Sequence, residues 1–466
     1  MKEIDLRLAS LGLAVPEILL PVPAIDLSKW AVIACDQFTQ DSSYWEAVKT
    51  TVGGHPSTLN IIFPEAYLDE PDRRGMIERI HRTMAAYRPS GTEAGVFSPP
   101  EKALVYIERS TPFHRTRRGL LAALDLEQYD WSPDARPLIR STEGTVSERL
   151  PPRMDVRRGA PLETSHIIVL VDDEDDALLP GMAALAKENK PAYSAALMQD
   201  SGAVSGWFLK EDAALLFLAD SLTALAEKAR RHYGVSDPAP FLYAVGDGNH
   251  SLAAAKAVWN EFKAAHPGVG DHPCRWALVE LENIYDEGIS FEPIHRLILG
   301  DEGDGLLSLL SVLPGFSSRP VQTRTELSAL VRDENTRGNR IGLIAGSRYT
   351  LVETEAAGII TDRLQPLLDE WLKTDNPRAS SQADTSRAAS GPAKAPRSID
   401  YIHGEEELFR LACVPGRPAT GLLLPPIKKS GLFQTVSRRG PLPRKSFSMG
   451  EASEKRFYLE CRNLFC

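Results

Sequence analysis

Cysteine is scarce and scattered in this chain of 466 residues, with five in all: Cys35, Cys274, Cys413, Cys461 and Cys466. No two form a CxxC pair, which excludes a zinc knuckle and a disulfide framework, so the thiols read as reduced core fillers. No HxH or HExxH pair offers a dedicated zinc site either. No apolar run approaches the ~18–20 residues that a membrane-spanning helix needs. The start, Met1-Lys2-Glu3-Ile4-Asp5, places acids where a signal peptide has its basic region. These absences predict a cytoplasmic protein with no membrane partner. An excess of positive charge is also missing: 53 Lys and Arg stand against 63 Asp and Glu, a net charge of −10. A duplex-DNA binder displaces counterions with a basic face, so the balance argues against nucleic acid. A small anion is compatible, because a local cluster of cations and backbone amides suffices to hold it. The GxxxxGK[ST] phosphate loop, the full GxGxxG fingerprint and any internal repeat are all absent.

What is present is an ordinary globular balance, 43% hydrophobic and 25% charged residues. The length predicts two or three domains, or one large domain with elaborations. Short apolar runs such as 103–109, 117–126, 167–171, 240–245 and 276–281 read as strands. Residues 42–50, capped by Asp41 or Ser42, and 213–233, with Leu216, Ala219, Leu222 and Leu225 at helical spacing, read as helices. Residues 375–397 are rich in Ser, Ala, Pro and Lys without periodic apolar positions, which predicts a flexible insertion. The expected organisation is therefore a main α/β domain over 1–374, this insertion, and a C-terminal segment over 398–466 that packs back on the main domain.

The sharpest feature is the loop Gly246-Asp247-Gly248-Asn249-His250-Ser251, between the strand-like Phe241–Val245 and the helix-forming Leu252–Trp259. Strand, glycine loop, helix is the order in which backbone amides meet phosphate. The glycines permit close approach to an anion, the helix start offers unpaired N–H groups, and Asp247 suits a divalent metal or a proton. His250 and Ser251 can donate to phosphate oxygens. The same residues also make a plain turn in which Asp or Asn caps a helix. A second dense segment runs from Arg140 to Arg153. Arg140, Arg149 and Arg153 suit bidentate phosphate binding, and Glu143 in Ser-Thr-Glu-Gly-Thr suits a general base; the alternative is a solvated loop of self-paired charges. A third is the terminal Pro443-Arg444-Lys445-Ser446-Phe447-Ser448-Met449-Gly450, two cations beside hydroxyls that could close over a phosphoryl group or form a surface turn. His295, in Pro-Ile-His-Arg, serves equally as a structural hydrogen-bonder; His166 and His403 carry the same ambiguity.

The glycine loop, Pro293-Ile294-His295-Arg296 and the terminal Pro-Arg-Lys-Ser-Phe-Ser-Met-Gly-Glu-Ala together resemble the bacterial family called domain of unknown function 1015. The resemblance runs from about Val32 to Arg462, with the terminal motif as its most specific part. Many members carry Asp-Gly-His-His-Arg at the loop, which is similar to the phosphate-binding loop of the ParB/sulfiredoxin-like superfamily, a group that includes free L-serine kinases. By position, Asp247 matches the loop aspartate and His250 the second histidine. Asn249 and Ser251 replace the first histidine and the arginine, which removes one cation from the phosphate cradle.

The resemblance implies a mixed α/β (α+β) fold with a ParB/sulfiredoxin-like core and large family-specific additions. It implies a small-molecule phosphotransferase, with free serine as the leading acceptor, ATP, ADP or pyrophosphate as donor, and Mg²⁺ held in part by Asp247. The expected catalytic residues are Asp247, Glu143, His250 and Asp36. Gly246, Gly248, Asn249, Ser251, Arg140, Arg149, Arg444 and Lys445 are expected around the phosphate, and Thr145, His295 and Ser446 around the substrate. The partner is a phosphate-bearing small molecule, and a homo-oligomer stays open. The rival reading is a non-catalytic nucleotide or phosphometabolite sensor, which the loss of the loop arginine favours.

Overall fold

The computed structural model describes residues 2–39, 41–88, 95–111, 113, 116–234, 237–333, 335–336, 338–374 and 397–465. The predicted insertion at 375–397 lies, apart from Arg397, outside the described residues. The fold is mixed α/β, as expected. The chain forms two compact units that divide after Ser290 rather than at residue 374. The first comprises Met1–Ser290, Val436–Pro441 and Met449–Cys466, and the second Phe291–Thr435 and Leu442–Ser448.

The first unit is built on a nine-stranded sheet. Its strands in chain order are β1 (Leu13–Ala14), β2 (Leu104–Ser110), β3 (Arg117–Asp125), β4 (Ile139–Ser141), β5 (Ile168–Val171), β6 (Tyr193–Ala196), β7 (Ala203–Leu209), β8 (Tyr243–Asp247) and β9 (Trp276–Asn283). They run spatially as β6-β7-β2-β3-β9-β5-β8-β4, with β1 paired to β3. Strand β8 lies parallel to β4 and antiparallel to β5, and β9 runs parallel to β5. The central strands β5 and β9 are buried on both faces; β5 is an unbroken apolar run, the pattern of buried strands, whereas β9 also buries Glu280, Glu282 and Asn283.

Helices flank the sheet: α1 (Ser42–Val52), α2 (Leu150–Arg157), α3 (Asp212–Tyr233) and α4 (Asn249–Ala265). The Asp41 carboxylate caps α1 by accepting the Tyr44 N–H at 3.2 Å. The inward face of α4 is made of Leu252, Ala255, Val258 and Trp259, all buried at the 3–4 spacing of an amphipathic helix. Trp30 to Cys35 is a further short run with the composition of a strand, but only Val32–Ile33 is strand; Trp30 closes a short helical turn, Leu27–Trp30, capped by Asp26. That strand pairs antiparallel with Phe457–Tyr458, so the end of the chain is sewn into the first unit.

The second unit holds a separate sheet with strands β10 (Phe291–Leu299), β11 (Ser317–Val321), β12 (Asn339–Ala345), β13 (Arg348–Thr354), β14 (Ser398–His403) and β15 (Ala419–Leu423). Their order is β11-β13-β12-β15-β10-β14. Apolar side chains cover both of its faces, with Leu306, Leu364 and Leu368 in one cluster and Leu327, Leu408 and Phe409 in another.

Candidate functional site

The glycine loop lies where strand β8 ends and helix α4 begins. Gly248 adopts φ +76, the left-handed conformation that lets the chain turn from strand to helix within one residue. A Cβ on Gly248 would sit 3.0 Å from Ile167 Cγ1, and one on Gly246 would sit 2.5 Å from Met449 Sδ and 2.9 Å from Leu170 Cγ. Both glycines are thus demanded by packing as well as by any ligand. The Asp247 carboxylate accepts the Gly248 N–H through Oδ1 at 3.0 Å. Its Oδ2 lies 3.2 Å from the Lys455 ammonium, with both side chains almost withdrawn from solvent. Oδ2 is buried without an aligned hydrogen bond, so the contact with Lys455 is chiefly Coulombic.

Lys455 reaches this position because of strand register. Phe457 pairs with Ile33 and Tyr458 with Val32, and the Ala34 N–H donates to the Arg456 carbonyl at 2.9 Å. Continuing that ladder brings the backbone just before Phe457 alongside the backbone just after Ile33. Buried arginines fix the segment: Arg109 donates to the Lys455 carbonyl at 2.7 Å and to the Ser453 carbonyl at 2.9 Å, and Arg117 to the Glu454 carbonyl at 3.0 Å. Arg456 is itself held by Glu460 at 2.7 Å and by Glu280 at 3.2 Å.

Asp36 and His166 complete the cluster. His166 Nδ1 is 2.7 Å from the Tyr458 hydroxyl, while Nε2 is 3.3 Å from Ser251 Oγ and 3.7 Å from Asp36 Oδ2. The Tyr458 oxygen already accepts the Cys35 N–H at 3.3 Å. We assign its O–H as donor to His166 Nδ1, which leaves the imidazole proton on Nε2, facing Ser251 and Asp36. Burial opposes the charge on Asp36, but His166, the Gln37 amide at 2.9 Å, Lys455 and Arg153 together hold its carboxyl below the ordinary range. Glu65 is nearby in the same wall, its N–H donating to the Cys35 carbonyl at 2.8 Å and its carboxylate paired with Arg153. There burial wins over Arg153, and the Glu65 carboxyl is raised.

The predicted residues fall into three groups. Asp247, Asn249, His250, Ser251 and Asp36 share this region of the first unit. The segment after β4 joins them: His250 Nε2 accepts the Val146 N–H at 3.2 Å, and the Thr142 hydroxyl donates to the Val245 carbonyl at 2.6 Å. Glu143 and Thr145 are half-buried in that segment. Arg140 and Arg149 are placed otherwise. Arg140 is buried, donates to Asp237 at 2.8 Å and to the Pro137 carbonyl at 3.0 Å, and stacks on Phe241, so its charge is committed to the fold. Arg149 is exposed at the start of α2.

His295, Arg444, Lys445 and Ser446 belong to the second unit. His295 Nδ1 accepts the Leu424 N–H at 3.1 Å, and burial depresses its pKa to about 4, the signature of a neutral structural histidine. Ser446 is buried, takes a hydrogen bond from Thr361 at 3.0 Å and donates to the Pro443 carbonyl at 2.6 Å. Arg444 and Lys445 are exposed.

Sequence reasoning left Lys455, Tyr458 and Glu65 unremarked and gave His166 only as an ambiguous residue. Lys455 lies five residues beyond Gly450 in the terminal motif, and nothing local marks it; only the ladder to Val32–Ile33 brings it to the loop. Among the described residues, no group of three or more His, Cys, Asp or Glu is arranged to hold a metal ion. No helix among them is long and apolar enough to cross a membrane.

A family model described as "Protein of unknown function (DUF1015)" matches residues 19–371. The terminal motif that carried the sequence resemblance most specifically lies outside that span. Among curated proteins, none matches the sequence. Solved structures similar to the chain include a conserved hypothetical protein from Pyrococcus furiosus, 10% identical with a TM-score of 0.34, covering 74% of this chain and 95% of that one. A free serine kinase variant in complex with AMP is 9% identical with a TM-score of 0.37, covering 73% and 91%. SbnI with a C-terminal truncation, from Staphylococcus aureus, is 10% identical with a TM-score of 0.34, covering 71% and 82%.

Proposed function

The chain belongs to the DUF1015 family, and from that premise we propose that its first unit is a phosphotransferase acting on a small-molecule hydroxyl, with a nucleotide or pyrophosphate as donor. The observation that carries this reading is the buried Lys455–Asp247 pair at the start of α4, with His166 and Asp36 beside it. An ammonium and the first amides of a helix offer positive potential to a phosphoryl group at one point. A carboxylate at the same point offers a proton acceptor for an attacking hydroxyl, and the imidazole an N–H to orient it.

The roles divide as follows. Lys455 and the amides of Asn249 to Ser251 neutralise the transferring group, the kind of electrostatic stabilisation that supplies most of the rate in phosphoryl transfer. Asp36, ionised through neutral pH, takes the proton of the acceptor hydroxyl, and His166, fixed by Tyr458, orients that hydroxyl through Nε2–H. This takes over the part that the sequence offered to Glu143 as an alternative. Asp247, with a buried oxygen that no hydrogen bond aligns with, would supply one carboxylate ligand to Mg²⁺, and the metal would spread the charge of the donor phosphates. Free serine is the acceptor that the family resemblance implies. The ParB/sulfiredoxin-like assignment of the core stands with this reading.

The test is phosphorus NMR of the full chain with Mg²⁺, with ATP, ADP or pyrophosphate, and with mixed hydroxyl acceptors, beside Lys455→Met. A new phosphomonoester resonance that disappears in the variant supports the transferase. Donor resonances broadened by the wild type alone, with no product, support the sensor reading instead, which the replacement of the loop arginine by Ser251 favours. Identical spectra in both proteins would refute a phosphate site at this loop.

A further inference from the structure

Beside the loop, the first unit contains a cavity of about 140 Å³. One patch of its wall is polar and continuous: Ser251, His166 and Tyr458, joined by the contacts of 3.3 and 2.7 Å. Most of the rest is hydrocarbon, supplied by Ile61, Ile62, Phe63, Met84, Val156 and Leu464 among others. Its charged wall residues are matched internally, Arg153 with Glu65 and Arg157 with Glu163. Asp36, Asp247 and Lys455 do not line it.

We propose that this cavity receives the body of the acceptor, and that the acceptor is an uncharged aliphatic alcohol rather than a zwitterionic amino acid. At ~30 Å³ for each water- or methylene-sized group, the space takes a body of roughly four to six carbons. The hydroxyl lies against Ser251 and His166, where Nε2–H orients it, and the chain lies against Ile62, Met84 and Val156. Serine fits poorly, because its ammonium and carboxylate would leave water for a wall whose arginines and glutamates are already paired, and unpaired charge is costly to bury. The fate of the hydroxyl rests on the phosphotransferase reading; the fit of the cavity does not, so binding alone can test it.

The probes are 1-propanol to 1-hexanol, with serine as comparator, titrated against the full chain by saturation-transfer NMR. Affinity is expected to rise about fourfold for each added methylene, the fold-change given by ~0.8 kcal/mol per buried CH₂. Ala254, one turn beyond Ser251 on α4, lines the cavity, as does Val156. Ala254→Leu or Val156→Phe fills it and should weaken 1-hexanol at least tenfold, while pyrophosphate binding, read by phosphorus NMR, stays within twofold. If one variant does not fold, the other and the chain-length slope of the wild type still decide. A flat slope, or serine binding more tightly than 1-hexanol, overturns the proposal. Alcohols that bind as expected to a protein that neither binds pyrophosphate nor transfers phosphate would uphold the cavity assignment and refute the phosphotransferase reading.

Discussion

Lys455→Met removes the counter-charge of Asp247, and its cost can be worked from the geometry. The two charges are 3.2 Å apart, with side chains 7% and 16% exposed. Removing one partner of a fully buried pair costs about 3–5 kcal/mol, because the other charge is stranded. Here Asp247 retains some access to water and one hydrogen bond, from the Gly248 N–H, so we expect about 2–3 kcal/mol. In a unit of this size that corresponds to a fall in Tm on the order of 5 °C. Asp247→Asn strands Lys455 instead and should cost a similar amount, since the amide oxygen still caps Gly248. The double variant strands neither charge. Its destabilisation should therefore fall short of the sum of the two single variants by about 1.5–2 kcal/mol.

Urea unfolding monitored by tryptophan emission reads the correct unit, because Trp30, Trp45, Trp131, Trp207, Trp259 and Trp276 all lie in it and only Trp371 lies in the other. Comparing 0.05 and 0.5 M salt adds a second check, since a buried pair is screened far less than an exposed one. Additivity of the two single variants within about 0.5 kcal/mol would refute the reasoning, for it would mean that the two charges do not sense each other.

Three further outcomes follow from the same structure. Asp36 titrates below its ordinary value of 3.8, so its stabilisation is complete above that pH and lost as the pH falls through the lower folded value. His166→Leu removes the strongest influence favouring the charge and leaves burial opposed only by Gln37, Lys455 and Arg153, so the carboxyl midpoint should move upward, read by carbon NMR; an unchanged midpoint would count against the pair. Gly246→Ala forces a methyl to within 2.5 Å of Met449 Sδ and 2.9 Å of Leu170 Cγ, and should cost about 1–3 kcal/mol in thermal unfolding. Adding Met449→Ala should recover part of that loss, and no recovery would place the strain elsewhere. In the second unit, burial lowers His295 from 6.5 to about 4, so the unit is fully stable above pH 6.5 and loses up to roughly 3 kcal/mol as the pH falls toward 4. Exchange protection of the Leu424 amide, corrected for intrinsic rate, should follow that window, and His295→Gln should flatten it.

The parts of this protein that could be read from its sequence are those whose causes are local. The strand β8, the left-handed Gly248 and the helix α4 follow one another within a few residues, so apolar runs, a glycine and helix formers were enough to expect the loop. Capping of α1 by Asp41 is of the same kind. The composition of Arg140 to Arg153 was equally visible, but composition cannot say where a guanidinium points. Arg140 turns to Asp237, 97 positions away, and Arg153 to Glu65, 88 away, in choices that only the folded chain makes. The cluster itself joins the most distant parts of the first unit. Tyr458 meets His166 across 292 positions, and the Lys455 carbonyl is held by Arg109 across 346. A single antiparallel step, Phe457 opposite Ile33, sets all of these contacts. A slip of one residue there would turn Tyr458 to the opposite face of its strand, away from His166. The same dependence explains why an otherwise unmarked lysine near the end of the chain can matter as much as the glycine loop. The loop supplies amides and a carboxylate wherever it folds, but the charge that complements them arrives only if the final strand pairs in register.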